Sequence, residues 1–310
     1  MNLISIIIPT LDEEENIERL ITEITYQFSE KKYDYEIIVI DNCSEDNTVK
    51  KVKSLIEINK KIKLIVNTRN FGHLRSPFYG LLQAKGDAAI LISADFQDPP
   101  KLIGELISKW QDGNEIVLLQ KINSQENKIK FFIRNMFYKI LNSISEDKLT
   151  INTTGSGIFD KKIINQLRKI NDPYPYFRGL LSEIGPKISL VEFTQPERKY
   201  GKTKNNFFTL YDIGMLSLVK HSKIPLRIMT ISGLLISLIS LTIALIFFIL
   251  KLFNWYNYEM GIAPMLIGIF AFGGFQLFFL GIISEYIIVI LKHTRNLPLV
   301  VEKERINFED

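Results

Sequence analysis

The sequence holds a single cysteine, Cys43, and only three histidines. One cysteine cannot close an intrachain disulfide, so the fold is expected to stand without oxidation, as suits a reducing compartment. No second histidine or cysteine lies near His73, which excludes a soft-metal cluster there and leaves it a structural role. Excess charge is also scarce. A formal net charge of +4 over 310 residues does not argue for nucleic acid, and no nucleic-acid partner is expected. Met1–Pro9 lacks the basic region and the apolar length of a secretory leader, so none is expected. No internal repeat or low-complexity tract breaks the chain.

The absence with the largest consequence is of charge in two long runs. Neither Ile228–Leu250 nor Met260–Ser284 contains a charged residue. Each exceeds the roughly 20 residues that a helix needs to cross the hydrocarbon core, and neither has the polar stripe of a soluble core helix. Both are read as membrane spans. Lys220, Lys223 and Arg227 precede the first, and Lys292, Arg295, Lys303 and Arg305 follow the second. The positive-inside rule then sets both ends in the cytoplasm and the short connection outside, with Trp255, Tyr256 and Tyr258 as an aromatic belt. Between Asn205 and His221, Phe207, Phe208, Leu210, Met215, Leu216 and Leu218 sit among few charges, which suits a helix lying at the headgroups. Glu285, just inside an apolar helix end, needs a basic partner or the interface.

Before the spans, short apolar runs alternate with helical spacing. Leu3–Ile8, Glu36–Ile40, Ile62–Val66, Ala88–Ile92 and Glu115–Leu119 read as strands. Asn16–Phe28, the stretch around Val49–Ile56, and Pro99–Trp110 read as helices. This rhythm predicts an α/β domain with a mostly parallel sheet covered on both faces, and ligands beyond the carboxyl ends of its strands. Polar residues gather at those ends: Thr10–Glu13, Asp41–Ser44, Asn67–Gly72 and Asp95–Asp98. Asp95 and Gln97 alternate with Phe96, so in an extended segment both would point one way. Their hard oxygens suit Mg²⁺ or Mn²⁺ completed by substrate phosphates. Thr153–Phe159 reads as small and flexible, and Asp172–Arg178 as aromatic and turn-rich.

At this point the motifs resemble glycosyltransferase family 2, in particular the polyprenyl-phosphate glycosyltransferases typified by dolichyl-phosphate mannose synthase and bacterial undecaprenyl-phosphate glucosyltransferases. Ile8-Pro9-Thr10-Leu11-Asp12-Glu13 is similar to the family's I-P-x-Y-N-E. Asp41-Asn42-Cys43-Ser44 with Asp46-Asn47-Thr48 resembles D-D-G-S-x-D-x-T. Arg69-Asn70-Phe71-Gly72-His73 follows, and Ala94-Asp95-Phe96-Gln97-Asp98-Pro99-Pro100 matches D-A-D-L-Q-D-P-P from its second residue. Arg198 to Lys204 resembles R-x-x-G-x-S-K, and Gly281–Tyr286 resembles G-x-x-G-E-Y. The chain departs from the pattern at Leu11, Asn42, Cys43 and Ser93, and at Thr154-Gly155-Ser156-Gly157, where many relatives carry an acidic G-D-F.

The resemblance implies a Rossmann-like GT-A domain that binds a nucleotide sugar, with a C-terminal interfacial helix and a two-helix transmembrane hairpin. The divisions expected are 1–204 for the GT-A domain, 205–226 for the juxtamembrane helix and linker, 227–292 for the spans and 293–310 for a cytoplasmic tail. Pro9, Glu13, Asp41, Ser93, Asp95 and Arg198 would surround a UDP- or GDP-linked sugar. Asp95 and Gln97 would hold Mg²⁺ or Mn²⁺. Asp95, Gln97 and Asp98 would form the catalytic group. Lys121, Lys130, Arg134 and Lys204 would meet the acceptor phosphate; Lys130 and Arg134, four apart, share a helical face.

The activity implied is inverting transfer of a sugar to a polyprenyl phosphate at the cytoplasmic face of a bacterial inner membrane, in cell-envelope glycan synthesis. The resemblance leaves room for a homo-oligomer. Two alternatives are a catalytically weak nucleotide-sugar-binding membrane protein, suggested by Ser93 and the T-G-S-G stretch, and a polysaccharide synthase. The second is disfavoured because neither Trp110 nor Trp255 follows an arginine in a Q-x-x-R-W motif and only two spans are read.

Overall fold

The computed structural model describes residues 2–29, 33–124, 153–184, 187–196, 212, 215–216, 218–220, 222–253, 262–295 and 297–308. Eight strands form one sheet in the order β7-β5-β6-β4-β1-β2-β3-β8. They are β1 (Leu3–Thr10), β2 (Asp34–Asp41), β3 (Ile62–Asn67), β4 (Ala88–Leu91), β5 (Ile116–Ser124), β6 (Thr153–Asp160), β7 (Ile188–Gln195) and β8 (Glu302–Ile306). β1 pairs in parallel with β2 and β4, β2 with β3, and β5 with β7. β6 is antiparallel to both β4 and β5, and β8 to β3. The sheet is therefore mostly parallel, with one reversed strand inside it and one at its edge.

Strand side chains alternate between faces, and both faces are covered. Ile4, Ile6, Ile8, Ile37, Val39 and Leu64 pack on one side against α1 (Ile17–Ser29), α2 (Thr48–Ile58) and α4 (Ile103–Gln111). Ile7, Ile38, Ile40 and Ile65 face α3 (Gly72–Leu82), α5 (Lys161–Leu167) and α6 (Phe177–Ile184). Fully burying each such isoleucine contributes about 1.5–3 kcal/mol before entropy is counted, which explains why the strands are continuous apolar runs. At the amino end of the sheet, Glu36 is a buried exception. It accepts from Ser5 Oγ (2.5 Å) and the Lys85 N–H (2.8 Å) and pairs with Lys63 Nζ at 2.6 Å.

Three sequence expectations change. Thr153–Phe159 is not flexible: it is most of β6, buried between β4 and β5. Its small residues answer to packing. A Cβ on Gly157 would lie 2.1 Å from the Val117 carbonyl oxygen. Asp95-Phe96-Gln97 is a turn instead of an extended segment, with Phe96 at φ +58°. Residues 302–306, read as part of a tail, return to the sheet as β8.

Two long helices, α7 (Ile224–Phe253) and α8 (Ile262–Thr294), lie between β7 and β8. Within α8, Phe272–Thr294 is long and apolar enough to cross a membrane, with a mean hydropathy of 2.0 and none of it buried.

Candidate active site

β1, β2, β3, β4, β5 and β7 run in one direction, so their carboxyl ends share an edge, and the reversed β6 begins there. This is the edge at which open α/β sheets bind ligands. Two adjacent loops on it are sewn together. After β1 the chain turns at Asp12 (φ +53°). The Asp12 N–H donates to Ser44 Oγ (2.9 Å), the Glu13 N–H to Thr48 Oγ1 (2.9 Å) and the Glu14 N–H to Asp46 Oδ2 (3.0 Å). In return Asp12 Oδ1 accepts from the Glu45 N–H (2.8 Å).

Of the residues expected around the nucleotide, Pro9 lies half-buried in β1 opposite Ile40. Glu13 is buried and accepts from Asn16 Nδ2 at 2.7 Å. Asp41 is buried too, and its two oxygens accept from Ser44 Oγ (2.5 Å) and the Ser44 N–H (2.9 Å). Burial pushes its carboxyl above the ordinary range, although the bonds from Ser44 pull the other way. Its visible role is to order the loop after β2.

Asn42, where the family pattern has aspartate, is a hub that sequence reasoning missed. Its Nδ2 donates to Asn70 Oδ1 (2.7 Å), and its Oδ1 accepts from Asn67 Nδ2 (3.2 Å) and the Phe71 N–H (2.9 Å). An amide can donate and accept at once, whereas a carboxylate only accepts. Asn42 thereby locks the end of β2 to the loop that starts α3.

The turn after β4 carries the acidic motif. Asp95 Oδ1 accepts from the Gln97 N–H at 3.1 Å, and Asp95 and Gln97 are both partly exposed at the mouth. Asp98 turns inward and is 1% exposed. Its Oδ2 accepts from Ser93 Oγ (2.7 Å) and from Ser156 Oγ (2.5 Å), while its buried Oδ1 receives no hydrogen bond from the described residues. Ser156, also buried, comes from the first half of β6, whose start shares this edge. Behind it, Arg178 Nη2 donates to the Thr154 carbonyl at 3.2 Å. The aromatic run before α6 was a signal for Arg178, but nothing local tied that run to β6.

The structure thus brings Pro9, Glu13, Asp41, Ser93, Asp95, Gln97 and Asp98 to one edge. Lys121 lies in β5 opposite Phe193, half-buried. Lys130, Arg134, Arg198 and Lys204 fall outside the described residues. Among the described residues no group of three or more His, Cys, Asp or Glu side chains could hold a metal ion.

Residues 5–168 match the model of Glycosyl transferase family 2. An uncharacterised glycosyltransferase from Synechocystis is 34% identical over 96% of this chain and 93% of its own. The chain belongs to glycosyl transferase family 2. This glycosyltransferase is also 32% identical to a prophage bactoprenol glucosyl transferase homologue of Escherichia coli, over 92% of this chain and 93% of that one. A bactoprenol glucosyl transferase of Shigella phage SfX is 31% identical over 97% and 99%. Among solved structures, glucosyl-3-phosphoglycerate synthase from Mycobacterium tuberculosis, with Mn²⁺, UDP-glucose and phosphoglyceric acid, aligns with a TM-score of 0.51 at 16% identity, over 70% of this chain and 78% of that one. That likeness is one of fold, and it agrees with the GT-A expectation. Within this glycosyltransferase Ser93 and Ser156, the latter in the Thr154–Gly157 stretch, meet on the same oxygen of Asp98.

Proposed function

We propose that this glycosyltransferase moves a sugar from a UDP- or GDP-linked donor to the phosphate of an undecaprenyl-type lipid, with inversion, at the cytoplasmic face of a membrane. The observation that carries the reading is the joining of the polar edge around Asp95–Asp98 to long C-terminal helices whose apolar side chains are exposed, such as Leu238 (55%), Phe272 (63%) and Leu277 (72%). A water-soluble acceptor would give no reason for such a surface. The names of the bactoprenol glucosyl transferases, similar over almost the whole chain, support the same acceptor class.

The divisions proposed are residues 1–204 for the donor-binding domain, 205–226 for a juxtamembrane helix, 227–292 for a two-helix hairpin and 293–310 for a cytoplasmic segment. Donor contacts are assigned to Pro9, Glu13, Asp41, Ser93, Asp95 and Arg198, and acceptor-phosphate contacts to Lys121, Lys130, Arg134 and Lys204. The Asp95 carboxylate and the Gln97 amide oxygen are hard donors at the mouth. Two protein ligands plus substrate phosphates fit Mg²⁺ or Mn²⁺ better than a closed protein cage. When bound, such an ion neutralises the charge that develops on the leaving diphosphate.

The lipid phosphate oxygen attacks the anomeric carbon as the bond to the nucleoside diphosphate breaks on the opposite side, so configuration inverts. A phosphate monoester has a second pKa near ~6, so the attacking oxygen is already anionic at neutral pH. No strong general base is then required. Asp98 is given a part in holding the sugar rather than in removing a proton.

The test is transfer of label from a panel of radiolabelled nucleotide sugars to undecaprenyl phosphate, with Mg²⁺ or Mn²⁺. Asp95→Ala is expected to lower the rate by about 100-fold or more. Label that never reaches the organic phase with any donor would favour a nucleotide-sugar-binding protein of little activity. Complete loss in Asp98→Asn at every pH, with metal binding intact, would instead restore the general base.

A further inference from the structure

Ser93 stands at the mouth of the site and is partly exposed, whereas Asp98 and Ser156 behind it are buried. An ionised carboxylate offers no donor, so the hydroxyls of Ser93 and Ser156 must each give their proton to Asp98 Oδ2. Among the described residues Asp98 has no other donor, because its Oδ1 is buried and bare. Neither serine can turn its O–H away without stripping a buried carboxylate of half its hydrogen bonds, which is a steep cost. The polarity of Ser93 is thereby set. Its only proton points inward and its lone pairs remain for the mouth. A hydroxyl in this state accepts hydrogen bonds and cannot give one to a phosphate oxygen.

We propose that Ser93 is an acceptor-only contact for a hydroxyl of the transferred sugar, and that Asp98 and Ser156 are the positioning residues that hold it so. This rests on the donor reading above and adds a specificity role to it. Serine at positions 93 and 156 keeps an acceptor at the mouth and leaves a single buried charge behind it.

The contact is with the sugar and not with the nucleoside diphosphate, so binding of UDP-glucose and of UDP can be separated. In the full-length protein with Mn²⁺, Ser93→Ala should weaken UDP-glucose about tenfold and UDP less than about twofold. Asp98→Asn should show the same selective loss, because its amide can donate to Ser93 and free the serine proton to point outward. Ser93→Thr, which keeps the hydroxyl, should retain more of the preference for UDP-glucose over UDP than Ser93→Ala does. Melting temperatures separate these effects from unfolding, and the Ser93 variants, at a partly exposed position, serve if Asp98→Asn does not fold. Parallel loss of UDP and UDP-glucose in Ser93→Ala, or no loss of either, would overturn the proposal. So would wild-type protein that binds UDP but none of a panel of UDP-linked sugars. Wild-type protein that binds neither UDP nor GDP, nor any sugar linked to them, would overturn the donor reading itself.

Discussion

Cys43 sits at φ +70°, where the family pattern has glycine. A side chain in the left-handed region costs about 1–2 kcal/mol through its Cβ, and glycine recovers part of that after its own loss of chain entropy. Cys43→Gly is therefore expected to stabilise the protein by about 0.5–1 kcal/mol, read as a shift in urea midpoint. Glu36 makes the opposite kind of case. Burial raises its pKa, but Lys63, Ser5 and Lys85 more than offset this, and its carboxyl lies below the ordinary value of 4.5. A depressed carboxylate contributes stability that is complete above its unfolded pKa and fades as pH falls through the folded one. Unfolding measured from pH 7 downward should thus show stability falling below about 4.5. Lys63→Ala, which leaves Glu36 buried without its cation, should cost about 3 kcal/mol at neutral pH and weaken that acid dependence. Asp41 works in the other sense, because its raised pKa makes protonation favour the folded state.

At the scale of elements, β6 teaches the most. Thr153-Thr154-Gly155-Ser156-Gly157 has the composition of a loop, and by local propensity it is one. It is a strand because β4 and β5 bind both of its edges and because Gly157 lets the Val117 carbonyl approach to where a Cβ would sit. Gly157→Ala should therefore cost more than about 3 kcal/mol or prevent folding, measured by thermal melting and soluble yield. β1 to β5 were legible because each is a run of apolar residues buried on both faces. Their ends were misjudged by a few residues, since Pro9-Thr10 and Lys121–Ser124 are strand by pairing and not by hydropathy. α3 was hidden for a similar reason: Pro77 interrupts its pattern.

For the whole molecule, β8 changes what the C-terminal segment does. It caps the open edge of β3, with the Thr68 N–H donating to the Val301 carbonyl at 2.9 Å and Lys53 meeting Glu304 at 2.5 Å. Arg75 also reaches the Pro298 carbonyl. Asp172, at 2.6 Å from Lys220 and 3.2 Å from His293, ties the catalytic domain to the approaches of both long helices. Removing everything after His221 would consequently expose a strand edge as well as delete the helices, and it cannot isolate a membrane role. Deleting only residues 297–310 should lower the melting temperature by about 5 °C or more and promote association through β3. If the melt were unchanged in detergent, β8 would be ornamental to the domain.

The sequence by itself determined the α/β class, the polar residues at the strand ends and the apolar runs, because burial of apolar side chains at fixed periods is a local property. It also carried the family motifs from Pro9 to Asp98. Only the tertiary structure decided that Ser93 and Ser156, 63 positions apart by number, share one oxygen of Asp98, and that residues 302–306 close the far edge of the sheet. Hydrogen bonds between residues distant in the chain leave no periodic trace. They exist only once the strands that carry them lie side by side.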